Sequence, residues 1–245
     1  MVILFSPSEG KRQGGSCPPL NETALLFPEL FQKRLEVIEQ YEYLTQNGND
    51  EDLYELFGIK DPGEYQRYRH PIKSLPTMKA IERYEGVAYD YLEYSNLTAD
   101  AQKYIDSHTL IFSNLFGPIR ASDVLPDYKL KQGSAIGSFI PDKHYKTHFT
   151  AALDVMIGDD EILDLRAGYY DKFYIPEQSV TTLKFLKGGK VVSHWAKAYR
   201  GIVLREAAKR QIDSVNALVA MNIEGLMVEE IIEKKKKKEI IYRIF

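Results

Sequence analysis

With 245 residues, 44% hydrophobic and 27% charged, the chain can bury a substantial core and has the make-up of an ordinary soluble protein, not a disordered or fibrous one. Its 32 basic and 35 acidic side chains leave a net charge of −3, which excludes attraction to nucleic acid by overall charge and restricts such contact to a local basic cleft. The one cysteine, Cys17, excludes an intramolecular disulfide framework and agrees with a reducing, cytoplasmic setting, and no apolar run approaches the ~20 residues of a membrane span.

Residues 1–5 are apolar and predict a buried strand that opens the fold. The loop after them, SPSEGKRQGGSCPPL, is kept irregular by its prolines and glycines and displays Glu9, Lys11 and Arg12 at a strand end. A basic, glycine-rich loop after a strand suits phosphate, yet the Walker spacing is absent, so a ligand loop and a plain structural loop both fit. Residues 22–43 place Leu26, Leu30, Leu35, Val37, Ile38 and Tyr41 near helical spacing, either a helix pair or a single long helix broken at Pro28, with Asn47-Gly48 ending the run. A short helix over 50–57 stops at Gly58, and a further segment begins at Asp61-Pro62-Gly63 and ends before Pro71.

In TMKAIERYEGVAYDYLEY, residues 77–94, two short helical patterns flank Glu85-Gly86. Such a helix hairpin is either plain packing or an element that offers backbone amides to a nucleic-acid phosphate. Thr98 suits the N-cap of a helix reaching Asp106, and 109–116 reads as an interior strand ended by Gly117-Pro118. Arg120, Asp123, Asp127, Tyr128, Lys129 and Lys131 follow, gathered either as a solvated loop or where open mixed sheets hold ligands. His144 and His148 stand four apart on a helix, but no third metal ligand is near, and exposed or capping histidines fit better; no metal and no cofactor are expected.

EILDL, residues 161–165, predicts another buried strand, with Asp164, Arg166 and Tyr170 at its end as an ion pair or as part of a polar site. Lys187-Gly188-Gly189 joins 179–186 to 190–195 as a hairpin. From Lys190 to Glu206, KVVSHWAKAYRGIVLRE runs from strand into helix, and His194, Lys197 and Arg200 crowd the joint. Cations have the wrong sign for the partly positive start of a helix, a conflict that a phosphate or carboxylate would remove. Residues 221–232 and 239–245 form β-rich segments around the five lysines 234–238, which read as a solvated hairpin tip. The pattern predicts one α+β domain over 1–245, a mixed sheet with surrounding helices.

The strand-end blocks SPSEGKRQGGSCPPL, RYEGVAYDYL, SNLFGPIRASDVLPDYKLKQG, DLRAGYY and SHWAKAYRG, taken in that order, resemble the YaaA family of peroxide-stress proteins. The resemblance implies a family-specific fold with a helix-hairpin-helix-like element and a positively charged cleft. It also implies binding of double-stranded DNA with low specificity and a part in limiting free-iron-driven oxidative damage. Carried over block by block, the positions are Ser6, Glu9 and Lys11, then Arg120, Tyr128 and Lys129, then Asp164 and Arg166, and last His194, Lys197 and Arg200.

Two functions from different classes follow. In the first, Lys11, Arg120, Lys129, Lys197 and Arg200 line one cleft for DNA phosphates, with Ser6 and Arg166 beside them and Tyr128 and Tyr170 free to stack on bases. In the second, Lys197 and Arg200 hold a small phosphorylated or carboxylated, nucleotide-like substrate while Glu9, Asp164 or His194 transfers a proton. A closed pocket favours the second, an open groove of duplex width the first.

Overall fold

The computed structural model describes residues 1–245 with the exception of Ala24, and the side chains of Ser193 and His194 also lie outside the described residues. The chain opens with β1 (Val2–Phe5) and β2 (Gly10–Lys11), followed by α1 (Phe31–Asn47) and α2 (Asp50–Phe57). It continues through β3 (Met78–Lys79), α3 (Ala80–Arg83), β4 (Tyr84–Glu85), α4 (Val87–Leu92) and α5 (Ala99–His108). Next come β5 (Thr109–Ser113), β6 (Gly117–Arg120), β7 (Val124–Leu125) and α6 (Pro141–Ile157). The last part holds β8 (Ile162–Asp164), β9 (Val180–Lys187), β10 (Lys190–Val191), α7 (Ser193–Lys209), α8 (Val215–Ala220), β11 (Leu226–Lys234) and β12 (Lys237–Ile244).

Local chemistry accounts for many of these bounds. Pro28 confines Pro28–Leu30 to a single tight turn, after which α1 runs to Asn47. Asn49 and Asp52 form a reciprocal capping box at the start of α2, and Gly58 ends it in a left-handed conformation at φ 65°. Thr98 accepts from the Ala101 amide to cap α5. The hairpin signal at 187–189 is borne out, since Gly188 and Gly189 both take positive φ and turn β9 back into β10. Between 77 and 94 the two short helices are α3 and α4, and β4 between them pairs with β2.

The main sheet has the order β11-β12-β9-β8-β1-β5-β6, with β10 attached to β9. From β12 to β5 the neighbours are parallel, and the antiparallel strands β11 and β6 flank that block. Parallel strands covered on both faces need continuous apolar sequence, and Ile3, Leu4, Phe5, Ile111, Phe112 and Leu163 are all buried. Gly117-Pro118, read from the sequence only as the stop of a strand over 109–116, instead begins β6, because β5 ends earlier at Ser113 and residues 114–116 form the turn. Gly117 turns at φ 71°, and Pro118, which has no amide proton, is accommodated because β6 pairs only with β5.

Because β5 lies on one side of β1 and β8 on the other, the chain leaves the centre of the sheet in opposite directions, and the loops after all three strands open at the same end. This arrangement is where open parallel sheets form ligand crevices. One apolar core joins the sheet to its helices, and among the described residues no helix is long and apolar enough to cross a membrane.

Candidate functional site

A cavity of about 440 Å³ occupies the C-terminal end of β1. Its walls come from the loop after β1 (Ser6 to Glu9), the start of α4 (Gly86 to Tyr89), the residues after β8 (Leu165, Ala167 and Tyr170), Gln132, and Lys197 and Arg200 of α7. The loop after β1 is fixed on several sides. Ser6 accepts from the Ala167 amide at 2.8 Å through its hydroxyl and from the Tyr89 hydroxyl at 2.8 Å through its carbonyl. Glu9 accepts from the Gln132 amide at 2.9 Å, and its other carboxylate oxygen lies 3.5 Å from Lys129 Nζ.

Lys11 holds the same loop from beneath. Its amine donates to the carbonyls of Ser8 (3.2 Å) and Glu9 (3.3 Å) and lies 4.1 Å from the centre of the Tyr128 ring. Only 8% exposed, this amine is lowered to a pKa of about 7, first by loss of solvation and then by the positive charge of Lys129. Arg83 anchors the following stretch by donating to the carbonyls of Arg12, Gly14 (2.7 Å) and Leu125.

The cationic wall depends on a close helix crossing. A Cβ on Gly201 would overlap the Ala88 carbonyl oxygen, so glycine at this position lets α7 lie directly on α4 and brings Lys197 and Arg200 to the cavity. Lys197 is exposed and Arg200 half-buried. Burial lowers the Arg200 pKa, opposed by the charge of Asp164. Among the described residues Arg200 makes no hydrogen bond or ion pair.

The other inward arginines differ. Arg34 donates to Phe116 and Pro118 carbonyls, Arg83 is saturated as above, and Arg166 grips Asp164 with Nε (2.9 Å) and Nη2 (2.7 Å) while Nη1 serves the carbonyls of Tyr170 and Tyr174.

The sequence-derived candidates therefore separate. Ser6, Glu9, Tyr170, Lys197 and Arg200 meet at the cavity, with Lys129 one contact behind Glu9. Asp164 and Arg166 form the internal pair, and their hydrogen bonds are directed at each other and at backbone. Tyr128 is 2% exposed, with its hydroxyl between those of Tyr84 and Ser113 at 2.8 Å each, so its ring offers no free face for a base. Tyr170 is also buried, at the cavity wall.

Arg120 pairs with Leu110 near the start of β5, at the end of the sheet opposite the cavity. His194 lies outside the described residues. His144 meets the Lys33 carbonyl at 2.8 Å, and no group of three or more potential metal ligands occurs among the described residues.

Sequence reasoning did not single out Ser8, Tyr89, Gln132 or Ala167 as part of the site. Gly86 was the available signal for the first two: at φ 135°, with a Cβ position 2.9 Å from Ser8 Oγ, it marks a close approach of the two loops. Nothing local distinguishes Gln132 or Ala167, which enter through backbone amides.

A family model described as peroxide stress protein YaaA matches residues 1–231. An uncharacterized protein of Campylobacter jejuni is 49% identical over 244 residues, spanning 100% of this chain and 99% of that protein. A UPF0246 protein of Corynebacterium efficiens is 33% identical, covering 89% of each chain, and one of Streptomyces coelicolor is 31% identical, covering 84% of this chain and 82% of its own.

Proposed function

We propose that this chain, which belongs to the peroxide stress protein YaaA family, serves the cytoplasmic response to peroxide by binding a small organic anion in the cavity at the end of β1. One observation carries the reading: Arg200 is a half-buried guanidinium whose donors have no partner among the described residues, while Arg34, Arg83 and Arg166 are satisfied by carbonyls or a carboxylate. A guanidinium removed from water without partners is costly, and a bidentate carboxylate or phosphate would match its fork. Lys197 adds a second charge at the exposed rim. If the bound anion is also transformed, Glu9 is the carboxylate within the cavity wall able to accept a proton.

Calorimetric titration with a panel of phosphorylated and carboxylated metabolites tests this reading. Arg200→Ala is expected to weaken the best binder by ~1.5–3 kcal/mol, the usual range for a hydrogen bond to a charged group. Lys197→Ala is expected to have a smaller, salt-sensitive effect. A panel without a binder, or unchanged affinity in Arg200→Ala, would count against the reading.

Contact with double-stranded DNA, as part of limiting free-iron-driven damage, is the second reading. It is favoured by the exposed corner between β9 and α7, where Lys187, Lys190 and Lys197 accompany Trp195, 47% exposed. The short helices around β4 are the element a helix-hairpin-helix contact would use. Phosphate neutralisation makes affinity fall steeply with salt, so duplex binding measured from about 50 to 200 mM salt is expected to drop by orders of magnitude. A flat titration argues against DNA.

A further inference from the structure

The cavity has two chemically different sides. On the β9 side of β1, α7 contributes Lys197 and Arg200. Toward β5 and β6 stands Glu9, held by the Gln132 amide and by Lys129, whose backbone is fastened in turn to the Tyr41 hydroxyl of α1. A ligand that fills the cavity meets the cations of α7 and also the Glu9 carboxylate, which Lys129 and the Gln132 amide hold in place. A dicarboxylate or bisphosphate would place a negative group against Glu9, whereas an anion whose far end carries N–H donors satisfies both walls.

Size and wall shape narrow the class further. About 440 Å³ falls in the ~300–1,000 Å³ range of clefts that bury drug-sized molecules, and an inorganic anion would leave most of it to water. Gly86, Ala88 and Ala167 keep part of the wall low. Beside these small residues are aromatic rings: Tyr89 packs edge-on to Phe5 at 5.4 Å with its hydroxyl pinned to the Ser6 carbonyl, and Tyr170 is buried. The Ser6 hydroxyl accepts from Ala167, which leaves its own proton to donate. Low wall, fixed rings and a polar edge suit a flat, hydrogen-bonding heterocycle.

We infer that the ligand is a mononucleotide unit, its phosphate at Arg200 and Lys197 and an amino-bearing base directed to Glu9. This deepens the anion-binding reading of the same cavity and rests on it. A carboxylate accepting from an exocyclic amine is a known mode of base recognition, so adenine, cytosine or guanine nucleotides are favoured over uridine or thymidine nucleotides. The unit can arrive free or as one nucleotide of a single strand, and both present a base, a sugar and an anionic phosphate, the free form as a doubly charged monoester and the strand as singly charged diesters.

Titration calorimetry on the full chain separates the possibilities. The probes are the common nucleoside 5′-monophosphates, the matching nucleosides, ribose 5-phosphate, inorganic phosphate and a trinucleotide. At least one amino-bearing monophosphate, or the trinucleotide, is expected to bind tenfold or more tighter than its nucleoside, ribose 5-phosphate or phosphate. Whichever of the free and strand-borne forms binds tighter identifies the source.

Glu9→Gln is expected to weaken the nucleotides several-fold while leaving ribose 5-phosphate unchanged. Arg200→Lys, which keeps the charge and loses the fork, is expected to weaken all phosphorylated probes alike and guards against misfolding of Arg200→Ala. Ribose 5-phosphate binding as well as the nucleotides overturns the nucleotide assignment and leaves the anion site standing. Nucleotide binding untouched by either Arg200 variant overturns the anion site itself, and absence of binding by every nucleotide and the trinucleotide overturns the inference.

Discussion

Lys11 carries its amine into a pocket of tyrosine rings, with carbonyl partners and, among the described residues, no carboxylate within ion-pair distance. Its folded pKa of about 7 lies below the 10.5 of an exposed lysine. Between those values the unfolded chain binds more protons than the folded one, so stability rises with pH across that window, and below pH 7 the buried charge is a full penalty. Relative to Lys11→Met, the unsubstituted protein is expected to gain ~2–3 kcal/mol between pH 6 and 9, at 1.36 kcal/mol per unit. Urea unfolding of both proteins at several pH values measures this. The two carbonyls deprived of a donor add a pH-independent cost to the variant, so the slope of the difference, not its sign, is the test. A flat difference would mean that the amine stays solvated. The charge of Lys11 was legible in the loop sequence. Its burial was not, because the covering rings come from Tyr84 and Tyr128, more than seventy positions away. Arg166 shows the same gap: sequence marks a cation at a strand end but not that Asp164, Tyr170 and Tyr174 consume its donors.

The joint from β10 into α7 was readable from alternation giving way to helical spacing, but it comes earlier than expected: the strand ends at Val191 instead of Trp195, and α7 begins at Ser193. What aims that helix was less legible. Gly201 within α7 looks like an ordinary weakness in a helix until the Ala88 carbonyl is found where its side chain would be. Gly201→Val is expected to push α7 away from α4, destabilising by ~2–4 kcal/mol as an overpacked, strained contact and displacing Lys197 and Arg200 from the cavity. Thermal unfolding and ligand titration read the two effects, and a variant as stable and as tight-binding as the parent would show that the crossing is slack. β6 escaped sequence reading for a related reason. Proline and glycine signal a break, and only the sheet order shows that Pro118 lies in a strand where its missing donor is harmless.

At the level of the whole chain, the apolar runs at 1–5, 109–116 and 161–165 announced the inner strands, and the C-terminal hairpin with its lysine-rich tip was equally plain. Their order was not, because pairing of residues 3 and 109, or of 180 and 237, leaves no local trace. The cavity was legible only as a set of polar strand ends, and distance along the chain concealed that Arg120 faces the other end of the sheet. β12 contacts β11 on one side and β9 on the other and buries Ile240, Tyr242 and Ile244. Removal of residues 235–245 is therefore expected to abolish the cooperative fold, not merely to trim an edge. Loss of near-ultraviolet circular dichroism and of a sharp thermal transition would register this, and a truncated chain that still melts cooperatively would contradict it.

The position of β1 also bears on biosynthesis. β1 is synthesised before both of the strands it bonds to, β5 and β8. At ~5–20 residues per second, β5 follows roughly 5–20 s later and β8 roughly 8–30 s later. Until β5 emerges, the apolar tetrapeptide VILF has neither of its strand partners, although Tyr89, which packs on Phe5, precedes β5 in the chain. The cavity at the end of β1, which needs Lys197 and Arg200 of α7, is among the last features to be completed.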